Sequence, residues 1–128
     1  MIPFIDLAAQ QKRIRPQIEA AMLRVLDHGA YIMGPEISAL EAQLSSFCQA
    51  QHTLSCSNGT DALALVLRAK NVRSGDAIFV PSFTFAATAE VVAWMGASVV
   101  FIDVLPDTFN IDPISLEKGI ERAKQLGL

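Results

Sequence analysis

From His52 onward, short apolar runs alternate with helical ones. The apolar runs are His52–Cys56, Ala77–Val80 and Ser98–Ile102; the helical ones are Ala62–Ala69, Ala86–Met95 and the stretch opened by Asp112-Pro113. Each apolar run is too short for a helix and is bounded by Gly, Pro or small polar residues, which fits a buried strand. Strands separated by helices cannot pair as hairpins, because a parallel neighbour needs a long crossover. The β-α-β-α-β-α order over residues 52–128 therefore predicts an α/β fold with a mostly parallel sheet covered by helices.

Residues 1–51 read as a helical segment that packs outside the sheet layer. Met1 to Leu7 is expected to be an extended lead-in, with Pro3 opposing an early helix. Ile14, Ile18, Met22, Val25 and Leu26 then fall on one helical face. Pro16 suits a first turn and not a helix interior, so the regular helix is expected from Pro16 to His28, stopped by Gly29. Gly34-Pro35 opens a second helix with Ile37, Leu40, Leu44 and Phe47 on its apolar stripe, ending near Ala50. Tyr31, the only tyrosine, is expected to pack between the two helices; the alternative is that it lines a site or a subunit contact.

In the second part, Ala62 to Leu67 is apolar nearly all round, which predicts burial on more than one side. Gly75 breaks the chain before the next strand, Pro81 ends that strand, and Thr84 is the candidate cap of the following helix, which Gly96 stops. Asp103 to Ile111 reads as a loop, and Asp112-Pro113 caps a last helix with Leu116, Ile120 and Ala123 on one face and Gly127 as its stop.

Composition narrows the function. Of 128 residues, 52 % are hydrophobic and 18 % charged, an apolar balance suited to a piece of a larger body. The net charge of -3 and scattered Lys and Arg give no nucleic-acid signal. No apolar run reaches membrane-span length, and no signal peptide is expected. Cys48 and Cys56 form no CxxC pair; both are expected as buried thiols of a cytoplasmic protein, without a metal.

The chemistry is expected at the carboxyl ends of the strands, in Ser57–Asp61, Pro81–Phe85 and Asp103–Phe109. Ser55-Cys56-Ser57-Asn58-Gly59-Thr60-Asp61 joins a strand-like run to a helical one. A helix N-terminus offers unpartnered N–H groups and partial positive charge, Gly59 lets an anion approach, and the Thr60 hydroxyl can add a bond. The plainer reading is a turn capped by Asn58 or Thr60, with Asp61 favoured by the dipole. Phe83 and Phe85, with the hydroxyls of Ser82, Thr84 and Thr88, would set an aromatic platform beside that anion seat, an arrangement suited to a flat phosphorylated cofactor. There is no GxxxxGK[ST], no GxGxxG after a strand and no GxSxG elbow.

Ser57-Asn58-Gly59-Thr60-Asp61-Ala62-Leu63, then Gly75-Asp76 and Val80-Pro81-Ser82-Phe83-Thr84-Phe85-Ala86-Ala87-Thr88-Ala89, resemble the DegT/StrS family of nucleotide-sugar aminotransferases. Phe4-Ile5-Asp6-Leu7, Gly34-Pro35-Glu36 and Phe101-Ile102-Asp103-Val104 extend the resemblance in the same order over essentially the whole chain. It implies the N-terminal portion of the large domain of a fold-type I transferase dependent on pyridoxal 5'-phosphate (PLP). It implies that Gly59 and Thr60, with Asn58, hold the PLP phosphate and that Phe85 stacks on the pyridine ring, Phe83 being the alternative nearer the core. Thr88 would sit under the ring or simply cap its helix. Asp61 is read as structural, and Asp103 as a turn residue at a strand end that does not inherit the carboxylate role of a later strand.

The resemblance further implies a nucleotide-linked keto-sugar substrate, such as a UDP-linked keto-uronic acid sugar for surface polysaccharide, an amino-acid donor (glutamate), and a homodimer. It places the Schiff-base lysine beyond Leu128. None of Lys12, Lys70, Lys118 and Lys124 follows a strand near the anion seat, so no catalytic lysine is assigned. The strands between the first and the later two are also expected outside this sequence, which leaves apolar edges for a complementary chain or a second copy. The alternatives are an inactive truncated or split fragment serving as a binding or assembly module, and a stand-alone α/β domain that binds a phosphorylated ligand.

Overall fold

The structure, a computed structural model, describes residues 4–128. The lead-in expected at residues 1–3 lies outside the described residues. The chain divides into two compact units, Met1–Ser55 and Cys56–Leu128.

The first unit contains helices α1 (Leu7–His28) and α2 (Pro35–Cys48). The expected start of α1 at Pro16 is corrected: the helix begins at Leu7 and runs through Pro16. Asp6 supplies the reason, because its Oδ1 accepts the Ala9 N–H at 2.9 Å and caps the first turn. Pro16 then forgoes one interior bond, a penalty of about 3 kcal/mol in an isolated helix. The stop at Gly29 is as expected: its φ is 66°, and its N–H donates to the Val25 carbonyl at 3.0 Å. Gly34 caps α2 with Pro35 in the first turn. A Cβ on Gly34 would lie 2.3 Å from the Ala30 carbonyl oxygen, so only glycine fits. The Ala30 N–H donates to His28 Nδ1 at 3.0 Å, which leaves Nε2 to donate to Glu36 Oε1, also at 3.0 Å. That bond is the main cause holding the Glu36 carboxyl below its ordinary value.

The apolar stripes of α1 and α2 occur where the periodicity placed them, yet neither helix has a buried residue. Tyr31 is 64 % exposed and not packed between helices, and Cys48 is an exposed free thiol rather than a buried one. No neighbour within the unit covers these groups. The strand expected at His52–Cys56 is absent. A strand requires a ladder partner, and here the Ser55 N–H and Oγ both donate to Glu41 Oε1, at 2.8 and 2.6 Å. Thr53 is tied to Ser45 through their hydroxyls at 2.8 Å.

The second unit runs α3 (Gly59–Ala69), β1 (Ala77–Pro81), α4 (Ala87–Trp94), β2 (Ser98–Ile102) and α5 (Pro113–Gln125). β1 and β2 pair in parallel from Ala77 opposite Ser98 to Pro81 opposite Ile102. Glycines with positive φ, Gly75 (95°) and Gly96 (72°), make the turns ahead of the two strands.

Alternation along the strands sends successive side chains to opposite faces. On one face Ile78, Val80 and Val99 meet Val91 and Val92 of α4 and Ala64 and Leu67 of α3. Full burial of a valine such as Val91 or Val92 contributes about 1.5–3 kcal/mol. On the other face α5 comes close at Gly119, where an added Cβ would stand 3.1 Å from Ile102 Cγ2 and 3.4 Å from the Phe79 ring. Helices α3 and α4 thus cover one face and α5 the other. The expected burial of Ala62–Leu67 on several sides is corrected. Leu63, Leu65 and Val66 are exposed, because α3 packs only its Ala64 and Leu67 side on α4 and the sheet.

Candidate functional site

Because β1 and β2 are parallel, their carboxyl ends lie together. The Ser82 N–H extends the pairing by donating to the Ile102 carbonyl at 3.0 Å. The loop after β2 is closed by a bridge between Val104 and Ile111, and the Asp112 N–H donates to the Asp103 carbonyl at 3.0 Å. The Asp103 N–H donates to Ser115 Oγ at 2.9 Å. Asp103 is therefore held by its backbone at the strand end.

The two loops meet through Phe83 and Phe109, whose ring centroids are 5.5 Å apart with planes at 31°. Phe109 carries this contact from a backbone with φ of 58°. Phe83, expected as the ring nearer the core, is 68 % exposed and packs on Phe109 instead. Phe85 is 78 % exposed and has no aromatic partner among the described residues. Thr84 does not cap α4. The capping position is Ala86, and the Thr84 and Thr88 hydroxyls share one hydrogen bond at 3.0 Å. The Thr88 N–H donates to the Phe85 carbonyl at 3.0 Å, so Phe85 and Thr88 are fixed on one turn.

The other turn opens α3. Asn58 is its cap: Oδ1 accepts the Asp61 N–H at 2.9 Å, while its carbonyl accepts the Ala62 N–H at 3.1 Å. The Asp61 carboxylate accepts from Ser57 Oγ and, at 3.3 Å, from Asn58 Nδ2. Cys56, expected to be buried, is exposed, with Sγ 3.3 Å from the Asn58 carbonyl. Among the described residues, the Gly59 and Thr60 N–H groups have no acceptor. A Cβ built on Gly59 meets nothing within 4 Å.

Two unpartnered donors, at the positive end of an eleven-residue helix and facing open space, fit a phosphate. The exposed Phe85 ring fits a flat heterocycle. Asn58, Gly59 and Thr60 are thus brought together on one turn, and Phe85 and Thr88 on another. No hydrogen bond among the described residues links the two turns. The lysines of this unit lie elsewhere: Lys70 at the far end of α3, and Lys118 and Lys124 on α5; Lys12 belongs to α1 of the first unit. The Ser57–Asp61 brace and the Phe109 contact were missed in the sequence. The i,i+4 spacing of Ser57 and Asp61 signalled the first, whereas nothing local signalled the second.

No group of acidic, His or Cys side chains among the described residues could hold a metal, and no described helix is long and apolar enough to cross a membrane.

A two-stranded parallel sheet between helical layers, with two unpartnered N–H groups at one helix start, defines part of an α/β fold. The profile of the DegT/DnrJ/EryC1/StrS aminotransferase family matches residues 12–126, and the chain belongs to that family. A UDP-2-acetamido-2-deoxy-3-oxo-D-glucuronate aminotransferase of Pseudomonas aeruginosa is 51 % identical over 120 residues, 94 % of this chain and 33 % of the relative. A crystal structure of a family aminotransferase from Brucella abortus superposes with a TM-score of 0.93 at 46 % identity, over 99 % of this chain and 34 % of that one. A Bacillus subtilis structure with bound cofactor PMP, the pyridoxamine form of PLP, superposes with a TM-score of 0.86 at 28 % identity, over 92 % of this chain and 27 % of that one. The chain spans about a third of the length of the curated relatives it matches. The cofactor these likenesses indicate is pyridoxal phosphate.

Proposed function

We propose that this chain is the cofactor-phosphate part of a PLP-dependent aminotransferase that moves an amino group onto a nucleotide-linked keto-sugar. The observation that carries this reading is the pair of unpartnered N–H groups at Gly59 and Thr60, held outward because Asn58 takes the next two donors for itself. In this reading those two N–H groups and the Thr60 hydroxyl bind the phosphate. Phe85 stacks on the ring, worth about 0.5–1.5 kcal/mol beyond its area. Thr88, fixed by Thr84, borders the ring. PLP, when bound, supplies the electron sink for the amino-group transfer.

A lysine must anchor the aldehyde and move the proton, and none of the three lysines of the second unit stands at this turn. In this reading the anchor belongs to sequence that the longer relatives have and this chain does not span. The likeness to the P. aeruginosa relative favours a UDP-linked keto-uronic acid sugar as substrate. In this reading glutamate is the donor and the product serves surface polysaccharide. The exposed apolar residues of both units favour a second copy or a complementary chain as partner.

The test is PLP binding followed by absorbance and by ultrafiltration. Thr60→Ala should weaken binding about tenfold while leaving the urea midpoint nearly unchanged. A variant that loses stability but keeps its affinity would sink the assignment. Borohydride treatment of the PLP-loaded chain should leave no unique lysyl adduct; one stoichiometric adduct would mean that one of the four lysines is the anchor.

A further inference from the structure

The end of the second unit away from Gly59 carries a cavity of about 930 Å³, lined among others by Arg68, Lys70, Arg73, Asp76, Trp94 and Met95. The three cations come from the last turn of α3 and the loop that follows, and Trp94 and Met95 from the end of α4. None of the three cations has a carboxylate partner among the described residues. The single carboxylate of the wall, Asp76, turns its Oδ2 onto the Arg73 N–H at 2.9 Å and so braces the loop instead of neutralising a side chain. Cations at a helix C-terminus are ordinary partners of the dipole, and that accounts for Arg68 and Lys70. It does not account for Arg73, which lies beyond the helix, nor for the indole of Trp94, the only tryptophan of the chain, which is 59 % exposed in the same concavity.

Unpaired guanidinium and ammonium groups select multiply charged oxyanions, and guanidinium groups can engage a phosphate with two parallel N–H bonds. An exposed indole face selects a flat ring. The volume lies within the range of small-molecule sites. We propose that this concavity is a second ligand site that binds a nucleoside diphosphate, with the phosphates on Arg68, Lys70 and Arg73 and the base against Trp94. The proposal rests on no part of the cofactor reading, since the two sites occupy opposite ends of α3.

Trp94 makes the test direct. Uridine diphosphate and adenosine diphosphate are titrated separately into the full chain while tryptophan fluorescence is followed. Both should quench it saturably below about 1 mM. Arg68→Gln with Arg73→Gln should raise the dissociation constant about tenfold or more, and added salt should raise it further. Inorganic pyrophosphate should displace the nucleotide, and Thr60→Ala and Phe85→Ala should leave the titration unchanged. A linear, unsaturable response overturns the site, as does an affinity indifferent to both arginine substitutions or lost with Thr60→Ala. Quenching by an acidic peptide but by neither nucleotide also overturns it and makes the patch a protein contact. The substituted side chains line an open surface, and a circular dichroism spectrum matching the parent shows that any loss is not unfolding.

Discussion

Asn58 Oδ1 receives the N–H of Asp61 at 2.9 Å, and this one bond sets which donors of the α3 start remain available. The cap also closes the turn that leads into the helix. Asn58→Ala should lower the stability of the chain by about 1 kcal/mol, read as a shift in the urea midpoint at constant slope. Asn58→Ser should recover most of it. Equal losses in both variants would mean that the side chain does not act as a cap.

Gly59 separates folding from binding. Its backbone is not in the left-handed region, and an added Cβ meets nothing. The fold therefore tolerates Gly59→Ala, which should leave the stability, read from the urea midpoint, unchanged or raise it by up to about 1 kcal/mol. Phosphate and PLP, which need close backbone approach, should bind several-fold more weakly. A loss of stability with intact affinity would show that the glycine serves the turn and not the ligand.

Gly119 is different, because α5 lies too near the sheet for a side chain. An alanine Cβ would press on Ile102 Cγ2 at 3.1 Å and on the Phe79 ring. Gly119→Leu should cost about 1–3 kcal/mol through overpacking. Ile102→Ala, which removes Cγ2, should couple with it, so that the double variant loses less than the two single losses together, a coupling measurable in a double-mutant cycle.

Glu41 gives the first unit a dependence on acid. The Ser55 hydroxyl, and then the Ser55 N–H, hold its carboxyl below the ordinary value of 4.5. A depressed carboxyl stabilises the folded state above that ordinary value and loses the contribution as pH falls through the folded one. The urea midpoint should therefore drop on acidification from neutral pH to about 3, and Glu41→Gln should flatten the part of the drop that it owns. An unchanged slope in Glu41→Gln would rule the contact out as a source of the pH dependence.

What was legible in the sequence was what short-range chemistry decides. Gly29, Pro35, Gly96 and Asp112 mark ends of helices or their turns because each acts within its own few residues. The strands at Ala77 and Ser98 were readable because each has the other as a partner. His52–Cys56 misled because its apolar character speaks of burial, whereas a strand also needs a ladder. The exposure of Leu63 and Val66 has the same origin: periodicity says which residues want cover, not whether a neighbour supplies it. Pro16 misled because one capping aspartate upstream outweighed a local penalty. At the site, the Asn58 cap was readable from its own turn, while the Phe83–Phe109 contact joins loops that only the sheet brings together.

The placement of α4 and α5 on opposite faces decides the direction in which the sheet can grow. Connections between parallel strands are right-handed almost without exception. With α4 on one face, the step from β1 to β2 moves across the sheet in one sense. A connection leaving β2 through α5, on the other face, must move in the opposite sense and pass behind β1. A parallel strand fed by α5 therefore joins the outer edge of β1, which makes β2 the rim. In any assembly that completes this sheet, the backbone amides of Ala77–Val80 that point away from β2 should become slow to exchange. Those on the outer side of Ser98–Ile102 should stay fast.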